Sequence, residues 1–293
     1  MAQLNNLKRQ IAGTEQMGSV VGTMKALAAV NIHHYEKAAE AVDRYYDTIL
    51  RALQGVFKYY RHLLPGARTL REEKSAFIIC GAEQSMAGPF DEQLLHYIEK
   101  RMEETALTKQ RLECFVFGER MTGLLGTSGF SIRKSGEYPG SLLNISDSVY
   151  NVLGTIDAWR EQSIISRVEI YFNRPVSGGS HTSDHATLFP VDRSLVRELQ
   201  NRPWGSSAVP QLSGPWEDIY GGLLRNMIFT GVIRALINTL AAENAARLAA
   251  MQAAEKYISE RLGELNMVYN RERQSSITAE LLDIVAGVEA LKQ

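Results

Sequence analysis

From Leu4 to Val56 one spacing runs without interruption. Leu4, Leu7, Ile11, Thr14, Gly18, Val21, Lys25, Ala28, Ile32, Tyr35, Ala39, Val42, Tyr46, Ile49, Leu53 and Val56 follow one another at alternating steps of three and four residues, and the great majority are apolar. An apolar stripe with a 3.5-residue period predicts a coiled-coil helix, which at about 1.5 Å per residue would be on the order of 80 Å long. From Trp216 onward the chain is again helix-forming, and Ile277, Leu281, Ile284, Val288 and Leu291 repeat the 3-4 spacing near its end. Upstream the apolar face shifts through Ile258, Leu262, Leu265 and Tyr269, then gives way to the pairs Ala241/Ala242, Ala245/Ala246, Ala249/Ala250 and Ala253/Ala254. Small side chains every four residues let a neighbour approach closely along the i±4 ridge. Glycines 221, 222, 231, 263 and 287 weaken this helix by about 1 kcal/mol each relative to alanine, so it needs support from a partner. The N-terminal helix, running antiparallel with Ala246 and Ala249 facing it, is the expected neighbour.

Between the two helical ends the period changes. SAFIIC (75–80), LECFVF (112–117) and RVEIYFN (167–173) read as strands, and 90–105 and 147–162 as helices, with a loop-rich stretch up to about Asn144. Alternating strand and helix imply a mostly parallel α/β layer. SGGSHTSDH (177–185) reads as a mobile loop before an edge strand, ATLFPV (186–191). Proline placement agrees with this division, since none occurs from Met1 to Leu64, all eight fall between Pro65 and Pro215, and none follows. The fold class expected is α/β, a long antiparallel coiled coil of N- and C-terminal helices with an inserted Rossmann-like α/β domain. The segments are 1–64, 65–215 and 216–293.

Composition narrows the function. A chain of 293 residues with 45% apolar residues is globular in character, and a net charge of −1 provides no basic field for nucleic acid. Cys80 and Cys114 sit in strand-like runs and read as buried small hydrophobes. The start has no cationic segment followed by an apolar run, and no stretch approaches the roughly 18 apolar residues that span a bilayer. No phosphate loop, nucleophile elbow or metalloprotease motif occurs, and GLLGTSG (123–129) lacks the glycine spacing of a phosphate loop and reads as a turn. His33, His34, His181 and His185 have no cysteine or carboxylate set at ligand spacing, so neither a metal nor a cofactor is expected. Three readings stay open on the residues alone: a coupling element built as a rod with a globular end, a coiled-coil scaffold with an α/β binding module, and a small-molecule enzyme.

The polar residues inside the helical ends discriminate among these. Met24 and Lys25 interrupt the first seam, and YNRERQSSITAE (269–280) sets Asn270, Arg271, Arg273, Gln274, Thr278 and Glu280 into a helix that otherwise needs an apolar stripe. Polar groups on several sides of a narrow two-helix element suit a partner surface.

These residues resemble the gamma subunit family of F-type ATP synthases. ENAARLAAM (243–251) and YNRERQSSITAELLDIVAGVEAL (269–291) are similar to the family's C-terminal signature, LKRQIAGTEQMGSVVGTMKALAA (7–29) to its first helix, and CGAEQSMAGPFDEQLL (80–95), with Gly88, Phe90 and Asp91, more weakly to the turn after its first strand. The resemblance implies a noncatalytic rotor shaft, one copy per complex. It implies as partners the alpha and beta subunits of F1, the epsilon subunit and the membrane c ring. It also implies peripheral placement on the cytoplasmic face of a bacterial plasma membrane. By the same implication Met24, Lys25, Arg273, Gln274, Thr278 and Glu280 contact catalytic subunits, with Lys25 beside Arg273 and Gln274. Ile11, Val21, Ala28, Ala246, Ala249, Ile277, Leu281 and Ile284 would pack the coil. Asn31, Ile32, His33 and His34 stand where the family has basic residues, and Glu83, Gln84 and Ser85 replace its Asp-Arg-Gly turn. These departures point to a divergent or alternative branch.

Overall fold

A computed structural model describes residues 2–60, 74–84, 86–138, 142–162, 165–176, 180–211 and 213–290. The helices are α1 (Ala2–Tyr59), α2 (Phe90–Thr105), α3 (Glu119–Thr127), α4 (Ile145–Gln162), α5 (Arg193–Asn201) and α6 (Trp216–Ala290). The strands are β1 (Lys74–Cys80), β2 (Leu112–Phe117), β3 (Ile132–Gly136), β4 (Ile165–Val176) and β5 (Ser180–Phe189). The chain forms two compact units, Met1–Ala29 with Arg247–Gln293, and Val30–Ala246. The segments 1–64, 65–215 and 216–293 follow the prolines, whereas these units follow contact density, so α1 and α6 each contribute to both.

In the unit of residues 30–246 the five strands lie in the order β3-β2-β1-β4-β5. β1 pairs in parallel with β2 and β4, β2 in parallel with β3, and β5 runs antiparallel to β4. Side chains alternate across β1. Ala76, Ile78 and Cys80 join α4 and α6 in one core, through Val149, Val152, Ile156, Val232 and Leu236. Phe77 and Ile79 join α2 and α3 in the other, through Leu94, Ile98, Met121 and Leu125. Helices on both faces leave the central strands no polar side, which is why LECFVF is buried at every position. Burial also pushes the thiol of Cys114 up to about 12, so it remains a neutral hydrophobe.

Two stretches depart from the sequence expectation. The part of the loop-rich stretch before Asn144 that is described contains α3 and β3, and GLLGTSG runs through the end of α3 rather than forming a turn alone. Residues 180–185 of the expected mobile loop belong to β5, while 177–179 lie outside the described residues. Their polarity suits a loop by composition, but pairing with β4 gives two of these polar side chains partners across the strands: Ser183 Oγ donates to Asn173 Oδ1 at 2.7 Å, and Arg174 meets Asp184 at 3.0 Å. A further helix, α5, follows β5; Asp192 marks its start by accepting from the Ser194 amide at 2.9 Å, and Leu195, Val196 and Leu199 share its packed face.

All sixteen heptad positions from Leu4 to Val56 are buried or half-buried along α1. In α6 the segment Trp216–Leu282 reaches the hydropathy of a membrane-crossing helix, with a mean hydropathy of 1.2 over its most apolar stretch. The expectation of no such run came from counting consecutive apolar residues, and this stretch is interspersed with polar ones. Within residues 30–246 it serves the core, where Met227, Val232, Ala235, Leu236, Ile237 and Leu240 are buried. Here α6 runs antiparallel to α1, and Arg234 of α6 pairs with Asp43 of α1.

Candidate functional site

The unit of residues 1–29 and 247–293 holds most of the site residues. Gly18 lies close to Ile258, a built Cβ on the glycine falling 3.4 Å from Ile258 Cγ2. Lys25 Nζ meets Glu255 Oε2 at 2.6 Å. The helices are therefore antiparallel, and their seam runs along Leu4, Leu7, Ile11, Thr14, Gly18, Val21, Lys25 and Ala28 on α1. On α6 a row of sheltered positions runs through Arg247, Met251, Ala254, Ile258, Leu262, Leu265, Tyr269, Glu272 and Ser276, again at steps of three and four. The α6 seam is thus the shifted stripe 258/262/265/269. Ile11 and Val21 are half-buried in it and Ala28 is buried.

The stripe of Ile277, Leu281 and Ile284 lies off this seam. The three are exposed at 46%, 57% and 62%, and Leu282 and Val285 beside them are exposed as well. The register explains this. Gly18 opposite Ile258 and Lys25 opposite Glu255 bring the first residues of α1 to about residue 275 of α6. Beyond that point α6 has no α1 residue alongside, so the packing expected at 277, 281 and 284 is not made among the described residues. Ala249 is exposed too, and Ala246, which belongs to the unit of residues 30–246, packs there against Ala82, Ala87, Phe90 and Ala242. The neighbour of Ala246 is a turn of the α/β layer.

The residues expected to meet partners form two groups. Met24 and Lys25 are half-buried, and Lys25 is engaged with Glu255. Arg273, Gln274, Thr278 and Glu280 are all exposed. Eighteen residues of helix separate Glu255 from Arg273, about 27 Å along the axis, so Lys25 does not lie beside Arg273 and Gln274. Thr278 turns its hydroxyl back onto the Gln274 carbonyl at 2.9 Å. The side chains of Arg273, Gln274 and Glu280 make no ion pair or hydrogen bond among the described residues. A second exposed apolar row on α1, Met17, Val20 and Leu27, was not singled out by the sequence, because periodicity alone cannot separate a solvent-facing row from a packed one. Among the described residues no group of three or more His, Cys, Asp and Glu side chains could hold a metal ion.

A family model described as ATP synthase matches residues 3–291, nearly the whole chain. Over 297 residues the chain is 24% identical to the ATP synthase gamma chain of Nitrosococcus oceani, covering 99% of this chain and 100% of that one.

The chain belongs to the ATP synthase gamma family.

The gamma chain of Staphylococcus saprophyticus is likewise 24% identical, with both chains covered in full. The fold is shared with a chain of the Euglena gracilis mitochondrial ATP synthase, in a structure comprising OSCP, F1 and c-ring, at a TM-score of 0.69 and 14% identity, covering 99% of this chain and 95% of that one. It is also shared with a chain from the rotor of the same enzyme at a TM-score of 0.64 and 13% identity, covering 94% and 99%. As a gamma chain the protein is the noncatalytic, central-stalk subunit of F1, a sector peripheral to the membrane. The scaffold and small-molecule-enzyme readings are not favoured.

Proposed function

We propose that the end of α6 from Arg273 onward is the grip through which this rotor acts on the alpha and beta subunits of F1. One observation carries the reading: where the reach of α1 ends and beyond it, α6 presents exposed apolar Ile277, Leu281, Leu282, Ile284 and Val285 together with exposed Arg273, Gln274 and Glu280, whose side chains have no partner among the described residues. A single helix with apolar groups on several sides is poorly stable in water and gains burial only inside another surface. Met24 and Lys25 form a second, separate contact region. Exposed polar pairs, worth about 0–1 kcal/mol each, can be exchanged from one partner to the next as the shaft turns. One copy of the chain works per complex, with the membrane c ring and the epsilon subunit as its further partners, on the cytoplasmic face of a bacterial plasma membrane.

The test replaces Arg273 and Gln274 together by alanine in the assembled complex and measures ATP hydrolysis and ATP-driven ion pumping side by side. Pumping per ATP should fall while the isolated chain keeps its melting temperature. Unaltered coupling in that variant would remove these two residues from the grip.

A further inference from the structure

The sheet order reverses at β1, because β2 and β3 lie to one side of it and β4 and β5 to the other. In doubly wound sheets the crevice beyond the carboxyl ends of the strands at such a reversal is where ligands settle, anions especially. Here that position is the turn after β1, and an anion is already in it. The Glu83 amide donates to Glu243 Oε2 at 2.8 Å and the Gln84 amide to Glu243 Oε1 at 2.9 Å, so two successive N–H groups share one carboxylate, an oxygen each. Glu243 comes from α6 and is 1% exposed. The amide just before this pair, that of Ala82, donates to Asp91 Oδ1 at 2.7 Å.

The surroundings are built for close approach. Ala242 is fully buried against Ala82, Ala87 and Phe90, with Ala246 packed on the same cluster. Alanine at these two positions is what lets α6 come near enough for a glutamate side chain to reach backbone amides. Gly81 has no room for a Cβ, which would fall 2.3 Å from Met121 Cβ, and neither has Gly118, at φ +93°, where a Cβ would fall 2.5 Å from the Ala82 carbonyl oxygen. The Gly81 amide donates to the Phe117 carbonyl at 3.0 Å and its carbonyl accepts from the Tyr138 hydroxyl, so the head of the turn is held through both of its backbone polar groups.

We propose that the turn after β1 is an anion-binding site of the carboxylate class whose ligand is the chain's own Glu243, and that Glu243 is thereby the positioning residue locking α6 to the α/β layer. With the site filled from within, α6 cannot slide or turn on the sheet without breaking two charge-assisted hydrogen bonds at once. The inference is independent of the grip at Arg273 and Gln274, since it concerns only residues 30–246.

Amide hydrogen exchange at Glu83 and Gln84 in the full chain tests it, with acetate as the probe. Glu243→Ala should speed exchange at both amides by about ten- to a hundredfold, the scale of a lost hydrogen bond to a charged acceptor. Acetate, against chloride at equal ionic strength, should slow both again by refilling the vacated space. Glu243→Gln keeps the shape of the side chain but can accept only through its oxygen, so exchange should rise at one of the two amides and not the other. This variant decides the matter alone if the alanine variant does not fold. Undiminished protection at both amides in the glutamine variant would overturn the lock, and an acetate effect no larger than that of chloride would overturn the anion site.

Discussion

Asp91 shows how a single buried carboxyl reads out its surroundings. It is fully buried, Oδ1 accepts the Ala82 amide, and no hydrogen-bond partner meets Oδ2 among the described residues. Burial raises its pKa above the ordinary carboxylate value; the Ala82 hydrogen bond and the Arg120 guanidinium pull the other way, while Glu243 and Glu92 add to the rise. A carboxyl whose folded pKa is raised stabilises the fold most below its unfolded value, near pH 4. That contribution is lost as pH rises through the folded value. Asp91→Asn cannot ionise and escapes this loss. The free energy of urea unfolding of the asparagine variant should therefore gain on that of the wild type as pH is raised from about 4 toward neutrality. A difference independent of pH would mean that Asp91 titrates alike in the folded and unfolded chain. The residue-level signal in the sequence was the turn CGAEQSMAGPFDEQLL itself, whose Gly88, Phe90 and Asp91 stood out. Its partner Glu243 did not, because a glutamate on a long helix looks like any solvated charge until the fold buries it.

At the scale of elements, the alanine run of α6 separates into positions with different neighbours. Ala246 packs against the small-residue cluster at the β1–α2 turn, whereas Ala249 is exposed. Leucine at 246 must push α6 away from that turn and should cost about 1–3 kcal/mol, the usual penalty of overpacking. Leucine at 249 should stay within about 0.5 kcal/mol, as an exposed helical position does. Thermal unfolding of the two variants checks this, and equal losses would place both alanines in a packed interface. The heptad of α1 was legible to the residue because its seam stays in phase from Leu4 to Val56. The seam of α6 was only half legible: its apolar stripe 277/281/284 is as regular as 258/262/265/269, and nothing in the spacing says which one finds the partner helix. The first part of β5, residues 180–185, was hidden for a related reason, since a polar stretch of an edge strand has no apolar alternation to betray it, whereas 186–189 was read as an edge strand.

For the whole molecule, the apolar residues that α6 leaves uncovered have their consequence in assembly. Leu281→Ser with Ile284→Ser removes exposed side chains, so the isolated chain should lose no more than about 0.5 kcal/mol per site. In reconstitution with alpha and beta subunits the same chain should enter the complex poorly, because burial of those groups then drives association. Pull-down of the tagged variant alongside the wild type measures this directly, and equal recovery of alpha and beta subunits would show that this end of α6 stays in solvent. Within the unit of residues 1–29 and 247–293, two helices held by a seam also suit a torque-bearing stalk, since bending one strains the other.

Pattern alone determined that the chain has two long helical ends around an α/β layer, and its motifs resembled the right family, because a heptad, a proline distribution and an unbroken buried strand are local properties of the chain. Only the tertiary structure decided which α6 stripe packs and which faces outward, that Lys25 lies about 27 Å from Arg273, and that the alanines next to Glu243 serve the turn after β1. Each of these depends on the register between segments some two hundred residues apart, and register follows from where α6 meets the sheet and α1.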